Sequence, residues 1–376
     1  MTRPTTTGKA QDLITFTRST TGTYLGSDGL LKSAAINEAR IEYDASGNCL
    51  GLLVEEARTN QATHSEDLTV SAWGLMPNSF RNSTNSIAPD GTAGATRFYT
   101  NSNVPAFLQQ ICPGSVGAKT HIVSCWARST NGGADQTFRL KSTHLGVTDF
   151  YSDNKTATSE WQRFIFTTTF ISASNTAVIA GIVEDSSANQ FDIEVWGMQV
   201  EFDTSFPTSY IPTSGSTVTR AADLASLAVS EFGYNQDQGT VVVSGHYTGL
   251  GVSATSGVFE LNQAVSAPYG VELRLHGANS TLMGYDNNGA FLTGGDVPVN
   301  SDFKIALGFV VGGTNAAASY NGSVTNAFAS VDVNTVSSIE LFKHDTNLGR
   351  ILNGHLKSVQ YYPLRLSNAQ LQALTV

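Results

Sequence analysis

The sequence is poor in charged residues, which occupy only 14% of its 376 positions, against about 25% in a typical globular chain. Long surface helices usually carry many glutamate, lysine and arginine side chains, so this shortage argues against a helical protein. Serine, threonine, asparagine and 35 glycines take the place of the missing charges. Such a composition favours many short strands joined by turns.

Basic runs and long apolar runs are also lacking. Lysine and arginine are scattered and the formal net charge is −10, which argues against a nucleic-acid partner and against adsorption to an anionic membrane. No stretch approaches the roughly 20 apolar residues of a membrane-spanning helix, so membrane insertion is not expected. Residues 1–11 contain no apolar signal-peptide core. We therefore expect synthesis in the cytoplasm without export by the usual route.

Motifs for metal, nucleotide and covalent chemistry are missing as well. The three cysteines, Cys49, Cys112 and Cys125, are too few for a disulfide framework and form no C-x-x-C pair. The seven histidines lack the spacings of transition-metal sites. There is no glycine-rich phosphate loop and no G-x-S-x-G nucleophile elbow. The sequence therefore predicts no transition metal and no nucleotide cofactor, and it does not indicate an enzyme.

What is present is a succession of strand and turn signals. Asp28-Gly29 separates two apolar runs, which indicates a hairpin near the N-terminus. Residues 161–170 and 271–276 alternate apolar and polar side chains, as strands with one buried face do. The segment Ser367–Gln370 has the S-x-x-Q form of a capping box and predicts a short helix after the last strand.

The chain is longer than one hydrophobic core usually supports, because cores stop growing at roughly 250–300 residues. A connector at 206–215 contains two prolines and a glycine and marks one boundary region. We predict an all-β protein with a small N-terminal β region at 1–60. Two antiparallel β-sandwiches follow in this prediction, the first at 61–223 and the second at 224–376.

One turn offers oxygen ligands that suit a calcium ion. Asp286 and Asn288 lie in the Asp-Asn-Asn-Gly turn at 286–289, and hard cations prefer oxygen ligands. No glutamate closes the loop twelve residues along, so the turn is not an EF-hand. A plain β-turn is the alternative interpretation. Calcium is the one cofactor that the sequence leaves open.

Aromatic and amide side chains in the C-terminal third suit sugar binding, because aromatic rings offer flat apolar faces beside polar groups. The candidates lie near strand ends and in the 286–289 turn: Tyr247, Tyr269, Tyr285, Asn287 and Tyr320. For each tyrosine the alternative is a core or turn position.

Paired carboxylates for glycoside cleavage must lie about 5–10 Å apart. Asp192 and Glu194 alternate along one strand candidate, and Glu184 stands beside Asp185. The three alternating acids of a sandwich glucanase are absent. Solvent-facing acids on an amphipathic strand are the alternative interpretation of these pairs.

Three stretches resemble phage and prophage virion proteins that carry lectin-like sandwich domains. They are Ile14-Thr15-Phe16-Thr17-Arg18-Ser19-Thr20 with Tyr24 and Asp28-Gly29-Leu30; Gly51-Leu52-Leu53-Val54-Glu55-Glu56-Ala57-Arg58-Thr59-Asn60 with Ser65-Glu66-Asp67-Leu68 and Ala72-Trp73; and Trp196-Gly197-Met198-Gln199-Val200-Glu201 with 206–213 and Val218-Thr219-Arg220-Ala221-Ala222-Asp223. The part that they frame is similar to a carbohydrate-binding jelly roll. The final block, ending Tyr361-Tyr362-Pro363-Leu364-Arg365-Leu366-Ser367, is similar to concanavalin A-like (laminin G-like) lectin domains.

The resemblance implies a jelly roll at 61–223, a concanavalin A-like sandwich at 224–376 and a role like that of tail-fibre, spike and head-fibre components. We expect a virion protein that binds host surface polysaccharide without catalysis, with residues 1–60 docking to the virion or to other copies. The expected partners are that polysaccharide, other virion proteins and further copies of the chain, with a trimer favoured. A purely structural adaptor or decoration protein and a polysaccharide depolymerase remain as alternatives.

Overall fold

The computed structural model describes residues 13–116, 119–130, 134–144, 149–170, 175–184, 190–250, 255–263, 270–286, 288–343 and 350–376. Strands dominate these residues, which confirms the all-β prediction. The chain divides into two compact units. The C-terminal unit holds the residues up to Gly29 together with Ala34–Ala57 and Ala221–Val376, and the central unit holds Leu30–Ser33 and Arg58–Arg220.

The C-terminal unit is a sandwich of two seven-stranded antiparallel sheets. Sheet I contains, in spatial order, β1 (Thr15–Thr17), β18 (Leu224–Ala228), β27 (Val336–Leu341), β20 (Thr255–Gln263), β21 (Val271–His276), β22 (Thr281–Asp286) and β23 (Gly289–Asp296). Sheet II contains β26 (Ser323–Asn326), β25 (Ala317–Tyr320), β24 (Ser301–Val310), β19 (Gln238–Leu250), β28 (Leu352–Tyr362), β5 (Cys49–Val54) and β4 (Ile41–Tyr43). The short strand β2 (Gly22–Leu25) and a 3-10 helix (Val229–Glu231) accompany them.

Side-chain alternation along β19 shows where the core of this unit lies. Val241, Val243 and Tyr247 are buried between sheets I and II. Val242 points the other way and is also buried, because helix α1 (Asn368–Thr375) covers the outer face of sheet II with Leu371. A strand buried on both faces has a continuous apolar run, as Val241-Val242-Val243 in β19 does.

The predicted capping box at the start of α1 is confirmed. The Ser367 Oγ accepts a hydrogen bond from the Gln370 backbone N–H at 3.3 Å, and the Gln370 Oε1 accepts one from the Ser367 N–H at 2.9 Å. These two bonds satisfy donors that the first turn of a helix otherwise leaves without partners.

The central unit is a second antiparallel sandwich, with two five-stranded sheets. Sheet III contains β13 (Lys155–Ala157), β12 (Gln136–His144), β15 (Asn175–Glu184), β10 (Ala106–Val116) and β7 (Gly74–Leu75). Sheet IV contains β14 (Gln162–Thr169), β11 (Thr120–Ser129), β16 (Asp192–Phe202), β9 (Ala93–Thr100) and β8 (Ser79–Ile87). The strands β6 (Arg58–Asn60) and β17 (Val218–Arg220) pair with each other, and β3 (Leu31–Ala34) completes the set.

The structure divides the chain differently from the three-part prediction. The described residues 13–60 are divided between the two units, with β1 pairing with β18 and β5 pairing with β28. Short hairpins cannot bury a core alone, and these strands gain one by extending sheets I and II. The main segment of the central unit runs from Arg58 to Arg220, where the sequence predicts a domain at 61–223.

A buried ion network fastens the N-terminal strands into the C-terminal unit. The Asp223 carboxylate, fully buried, accepts hydrogen bonds from the guanidinium groups of Arg18 and Arg40, the first at 3.2 Å. The same carboxylate accepts the Glu55 backbone N–H at 2.9 Å, and the Glu55 side chain accepts Arg40 Nη2 at 2.8 Å. Arg40 also donates to the Thr23 carbonyl at 2.8 Å. The network therefore joins segments about 200 positions apart in the sequence.

A single amide performs a similar task in the central unit. The buried Asn60 side chain donates to the carbonyls of Met198 and Ile211 at 3.1 and 2.9 Å. Its oxygen accepts the backbone N–H groups of Ala62 and Val200, each at 3.0 Å. Both donors and both acceptor lone pairs of the amide are thus used. Asn60 fixes the chain where it enters the central unit against the segments that close it.

Two histidines lie inside the central unit without hydrogen bonds. His121 and His144 are fully buried, and none of their four ring nitrogens has a partner among the described residues. Their ring centroids are 5.6 Å apart, and the His144 ring stacks on Phe170 at 3.7 Å. Burial, with a smaller effect of His144, lowers the pKa of His121 to about 4, against the opposing charge of Asp203. Burial also lowers the pKa of His144.

Replacing Asp223 by alanine should destabilise the C-terminal unit strongly. Two buried guanidinium groups would lose their shared counter-charge, and breaking one side of a buried ion pair costs about 3–5 kcal/mol. Urea denaturation followed by circular dichroism measures this loss. Asp237→Ala, which removes an exposed carboxylate of the same unit, should change the unfolding free energy by less than about 0.5 kcal/mol. Equal urea midpoints for the two variants would contradict the role assigned to the network.

Acid should destabilise the central unit because its two histidines are buried uncharged. The folded pKa of His121, about 4, lies below the unfolded value of about 6.5. Its contribution is therefore fully present above pH 6.5 and is lost as the pH falls toward 4, by about 3 kcal/mol for His121. The variant His121→Leu should lose stability less steeply over this range in denaturation series. His276→Leu, at an exposed position, should follow the wild type; identical slopes for all three proteins would refute the prediction.

Candidate functional site

The structure separates the sequence-predicted sugar-binding residues. Tyr247 is a core residue, and its hydroxyl lies 2.9 Å from the Ser280 Oγ between the sheets; the alternation that it shares with Val241 and Val243 places it there. Tyr320 is half-buried at the end of β25 and packs against the same core. The Tyr247 ring offers no open face for a sugar. Tyr269 and Asn287 lie outside the described residues.

The proposed calcium ligands belong to a hydrogen-bonded turn. The buried Asp286 carboxylate accepts the Asn288 backbone N–H at 2.8 Å through one oxygen and the Asp332 N–H at 2.7 Å through the other. The Asn288 amide nitrogen lies 3.4 Å from the Asp332 carboxylate. These contacts give both Asp286 oxygens a structural task. Within the described ranges, no group of three or more His, Cys, Asp or Glu side chains could hold a metal ion.

Among the predicted tyrosines that the structure describes, Tyr285 lies on an outer sheet face. Its neighbours Leu282 and Gly284 on β22 are buried, whereas Met283 and Tyr285 point away from the core and are partly exposed. The Arg274 guanidinium, from β21, lies over the Tyr285 ring at 3.2 Å from its centroid. This stack combines a cation with an aromatic face.

Three glutamates lie in line with Tyr285 on neighbouring strands of sheet I, and we call them the glutamate row. The register places Glu340 opposite Glu260, Glu260 opposite Glu272, and Glu272 opposite Tyr285. Directly opposed residues point to the same face of a sheet, and here that face is the outer one, because Phe259 and Leu341 face the core. Strands lie about 4.8 Å apart, so the four positions span about 15 Å.

The glutamate row is recessed rather than freely solvated. Glu260 and Glu272 expose only 5% and 0% of their surface, although outer-face acids on a sheet normally project into water. The Arg274 Nη1 lies 3.0 Å from a Glu272 oxygen. Glu340 accepts the Ser338 hydroxyl at 2.8 Å and lies 3.4 Å from the Lys343 ammonium. These contacts hold the Glu272 and Glu340 carboxylates in place, and groups that are already ordered lose less entropy on binding a ligand.

No pair of these positions is visible as a motif in the sequence. Glu260, Glu272 and Glu340 come from three strands, and only the order β27-β20-β21-β22 brings them into one row. Their alternation with core residues Phe259, Leu261 and Leu341 is the one local signal that places them on a common type of face.

The acids that the sequence suggested for glycoside cleavage are already paired with arginines. Asp192 accepts a bidentate hydrogen bond from Arg97 at 2.8 and 2.6 Å, and Glu194 lies 2.8 Å from Arg128. They therefore do not form an isolated carboxylate pair. Glu184 is buried at the end of β15, and Asp185 lies outside the described residues. In the part of the chain that the structure describes, no helix is long and apolar enough to cross a membrane.

Comparison with known proteins gives no family assignment. No family model matches the sequence, and no curated protein matches it. The chain is similar to several solved structures, at low identity.

Three of these solved structures illustrate the similarity. The CBM22-1 xylan-binding domain of Paenibacillus barcinonensis Xyn10C shows 9% identity and a TM-score of 0.33, over 40% of this chain and 99% of that one. The CBM40 of the Ruminococcus gnavus IT-sialidase shows 17% identity and a TM-score of 0.30, over 38% of this chain and 84% of that one. The enzymatically active domain of tailspike protein 4 of bacteriophage CBA120 shows 11% identity and a TM-score of 0.29, over 38% of this chain and 21% of that one. TM-scores of this size establish neither a shared fold nor a shared function.

Removal of calcium should leave the 286–289 turn intact, because backbone N–H groups already occupy both Asp286 oxygens. We expect the same melting temperature in EGTA and in millimolar calcium. A rise with calcium would reveal a bound ion through its stabilisation of the folded state.

Asp286→Ala should lower the unfolding free energy by about 2 kcal/mol or more, because it deprives two backbone donors of their acceptor. Asp296→Ala, which removes an exposed acid on β23, is the matched control and should have little effect. Denaturant unfolding of the two variants checks this. A loss in Asp296→Ala equal to that in Asp286→Ala would contradict the structural role of Asp286.

Proposed function

We propose that this protein is a phage virion component that binds a host surface polysaccharide without cleaving it, through the outer face of sheet I. The observation that carries the proposal is the Arg274–Tyr285 stack beside the recessed glutamate row. The half-buried Glu340 carboxylate accepts hydrogen bonds from sugar hydroxyls, the Arg274 guanidinium donates them, and the Tyr285 ring supplies an apolar contact. The glutamate row and Tyr285 extend about 15 Å across the strands of sheet I. This length suits an extended polymer chain better than a compact ligand.

The virion assignment is supported by the sequence resemblance and by the role of the residues that carry it. Arg18, Glu55 and Asp223 belong to the buried ion network, and Asn60 closes the central unit. These residues hold a rigid all-β framework together, which suits a structural protein outside the cell. We propose other virion proteins and further copies of the chain, with a trimer favoured, as its partners. Several copies on one particle would convert weak single sites into strong attachment.

A second candidate function is depolymerisation of the same polysaccharide. Directly opposed cross-strand residues have Cβ atoms about 4.5–5.5 Å apart, and retaining glycosidases hold their two carboxyl groups about 5–5.5 Å apart. The pairs Glu260–Glu272 and Glu260–Glu340 meet the first condition by register. A structural adaptor without glycan affinity remains the third candidate.

Tyr285→Ala should weaken retention on the host polysaccharide at least tenfold. The variant removes the ring on which Arg274 rests, and the loss of an aromatic and a positioned cation corresponds to about 1.4 kcal/mol or more. Affinity electrophoresis in gels containing capsular polysaccharide or lipopolysaccharide of the host measures the effect. Tyr43→Ala, a half-buried tyrosine on β4 of the other sheet, should bind like the wild type. Unchanged retention of Tyr285→Ala would remove sheet I from the binding site.

Polymer length after incubation separates binding from cleavage. We expect size-exclusion profiles of the polysaccharide to stay unchanged after prolonged incubation with the wild-type protein. Shortened polymer, with loss of the effect in Glu260→Gln and Glu272→Gln, would establish the depolymerase instead. Absence of both retention and cleavage by folded protein would favour the structural adaptor.

A further inference from the structure

The outer face of sheet IV, in the central unit, carries a second concentration of aromatic side chains. The register places Phe80 opposite Tyr99 and Tyr99 opposite Asp192, so all three point to one face. This face is turned away from the core, because Phe98 and Ile193 are buried inside. The rings of Phe80 and Tyr99 stack at 5.5 Å with an interplanar angle of 28°. Phe80 leaves 40% of its surface exposed.

Two arginines are held in fixed positions on the same face. Arg97 lies over the Tyr99 ring at 4.3 Å and donates through Nε and Nη2 to Asp192 at 2.8 and 2.6 Å. One row further, Arg128 lies over the Trp161 ring at 4.8 Å and pairs with Glu194 at 2.8 Å. Each guanidinium is thus fixed by a carboxylate and an aromatic ring together.

The pairing decides which ligands this face can attract. Arg97 is paired with Asp192 and Arg128 with Glu194, so these two pairs offer hydrogen-bond groups without a net charge. A polyanion such as a nucleic acid or an acidic polysaccharide gains affinity from unpaired cations, which the two pairs do not provide. The Arg97 side chain remains 38% exposed, and its Nη1 donors are not used by Asp192. Donors, acceptors and an open aromatic ring therefore stand together at the position of Arg97, Asp192 and Phe80.

We propose that the surface formed by Phe80, Arg97, Tyr99 and Asp192 is a second carbohydrate-binding site, specific for a neutral polysaccharide. A pyranose ring stacks on the exposed face of Phe80, and its hydroxyls exchange hydrogen bonds with the Arg97 Nη1 donors and the Asp192 oxygens. The fixed Arg97–Asp192 pair lowers the entropy lost on binding, because neither side chain must be ordered by the ligand. This site shares no residue with the outer face of sheet I and does not depend on it.

Affinity electrophoresis of the full chain in gels containing a β-glucan, a xylan, a galactomannan, a dextran or polygalacturonate tests the proposal. We expect at least one of the four neutral polymers to retard the protein. We do not expect polygalacturonate to retard it more strongly than that polymer does. Phe80→Ala should weaken the retardation at least tenfold, and Arg97→Gln should do the same. Ile111→Ala is the matched control, because Ile111 is an exposed apolar residue of sheet III in the same unit, and it should run like the wild type.

The two sites are distinguished by running Tyr285→Ala in the same gels. Loss of retardation in Phe80→Ala and Arg97→Gln but not in Tyr285→Ala supports the sheet IV site whatever becomes of sheet I. Loss in Tyr285→Ala alone leaves the site on sheet I and overturns this proposal. Absence of retardation by every neutral polymer, or stronger retardation by polygalacturonate, also overturns it.

Discussion

The buried carboxylate of Asp223 is the constraint on which the C-terminal unit depends. Burying one carboxylate with two guanidinium groups is expensive unless each charge is paired and hydrogen-bonded, and here both conditions are met by Arg18, Arg40 and the Glu55 backbone. These bonds tie the N-terminal segments into the C-terminal unit, in which β1 pairs with β18 and β5 pairs with β28.

The same constraint gives a structural role to residues in all three stretches that carry the sequence resemblance. Arg18, Glu55 and Asp223 complete the ion network, and Asn60 satisfies four backbone groups of the central unit. Because buried groups fix the framework, the side chains on the outer faces of the sheets can differ without loss of the fold. The two faces that combine aromatic rings, arginines and carboxylates are such outer faces.

Those parts of the fold that depend on residues close together in the sequence could be predicted from local patterns. Alternation along β14 and β21, the turn residues and the capping box at Ser367 each act within a few positions. The pairing of β1 with β18 could not be predicted in this way, because it depends on partners about 200 positions away. The pairing of β5 with β28 could not be predicted for the same reason.

The candidate site shows the same division between local and distant causes. Tyr247 shares its parity with Val241 and Val243, so its burial could be read from the strand, although the apolar residue between them obscured the alternation. The glutamate row could not be read, because Glu260, Glu272 and Glu340 are brought together only by strand order. Tyr285 lies on the outer face of sheet I, and its neighbours Arg274 and Glu272 come from the adjacent strand β21.

Hydrogen–deuterium exchange with and without the host polysaccharide tests whether sheet I is the surface that binds it. Exchange is slowed where a bound polymer covers or rigidifies the backbone. We predict slower exchange in Thr255–Gln263, Val271–His276 and Thr281–Asp286, three of the four strands that carry the glutamate row and the Arg274–Tyr285 stack. Unchanged exchange in all three strands, with the polymer demonstrably bound to the protein, would contradict the claim that sheet I is the recognition surface.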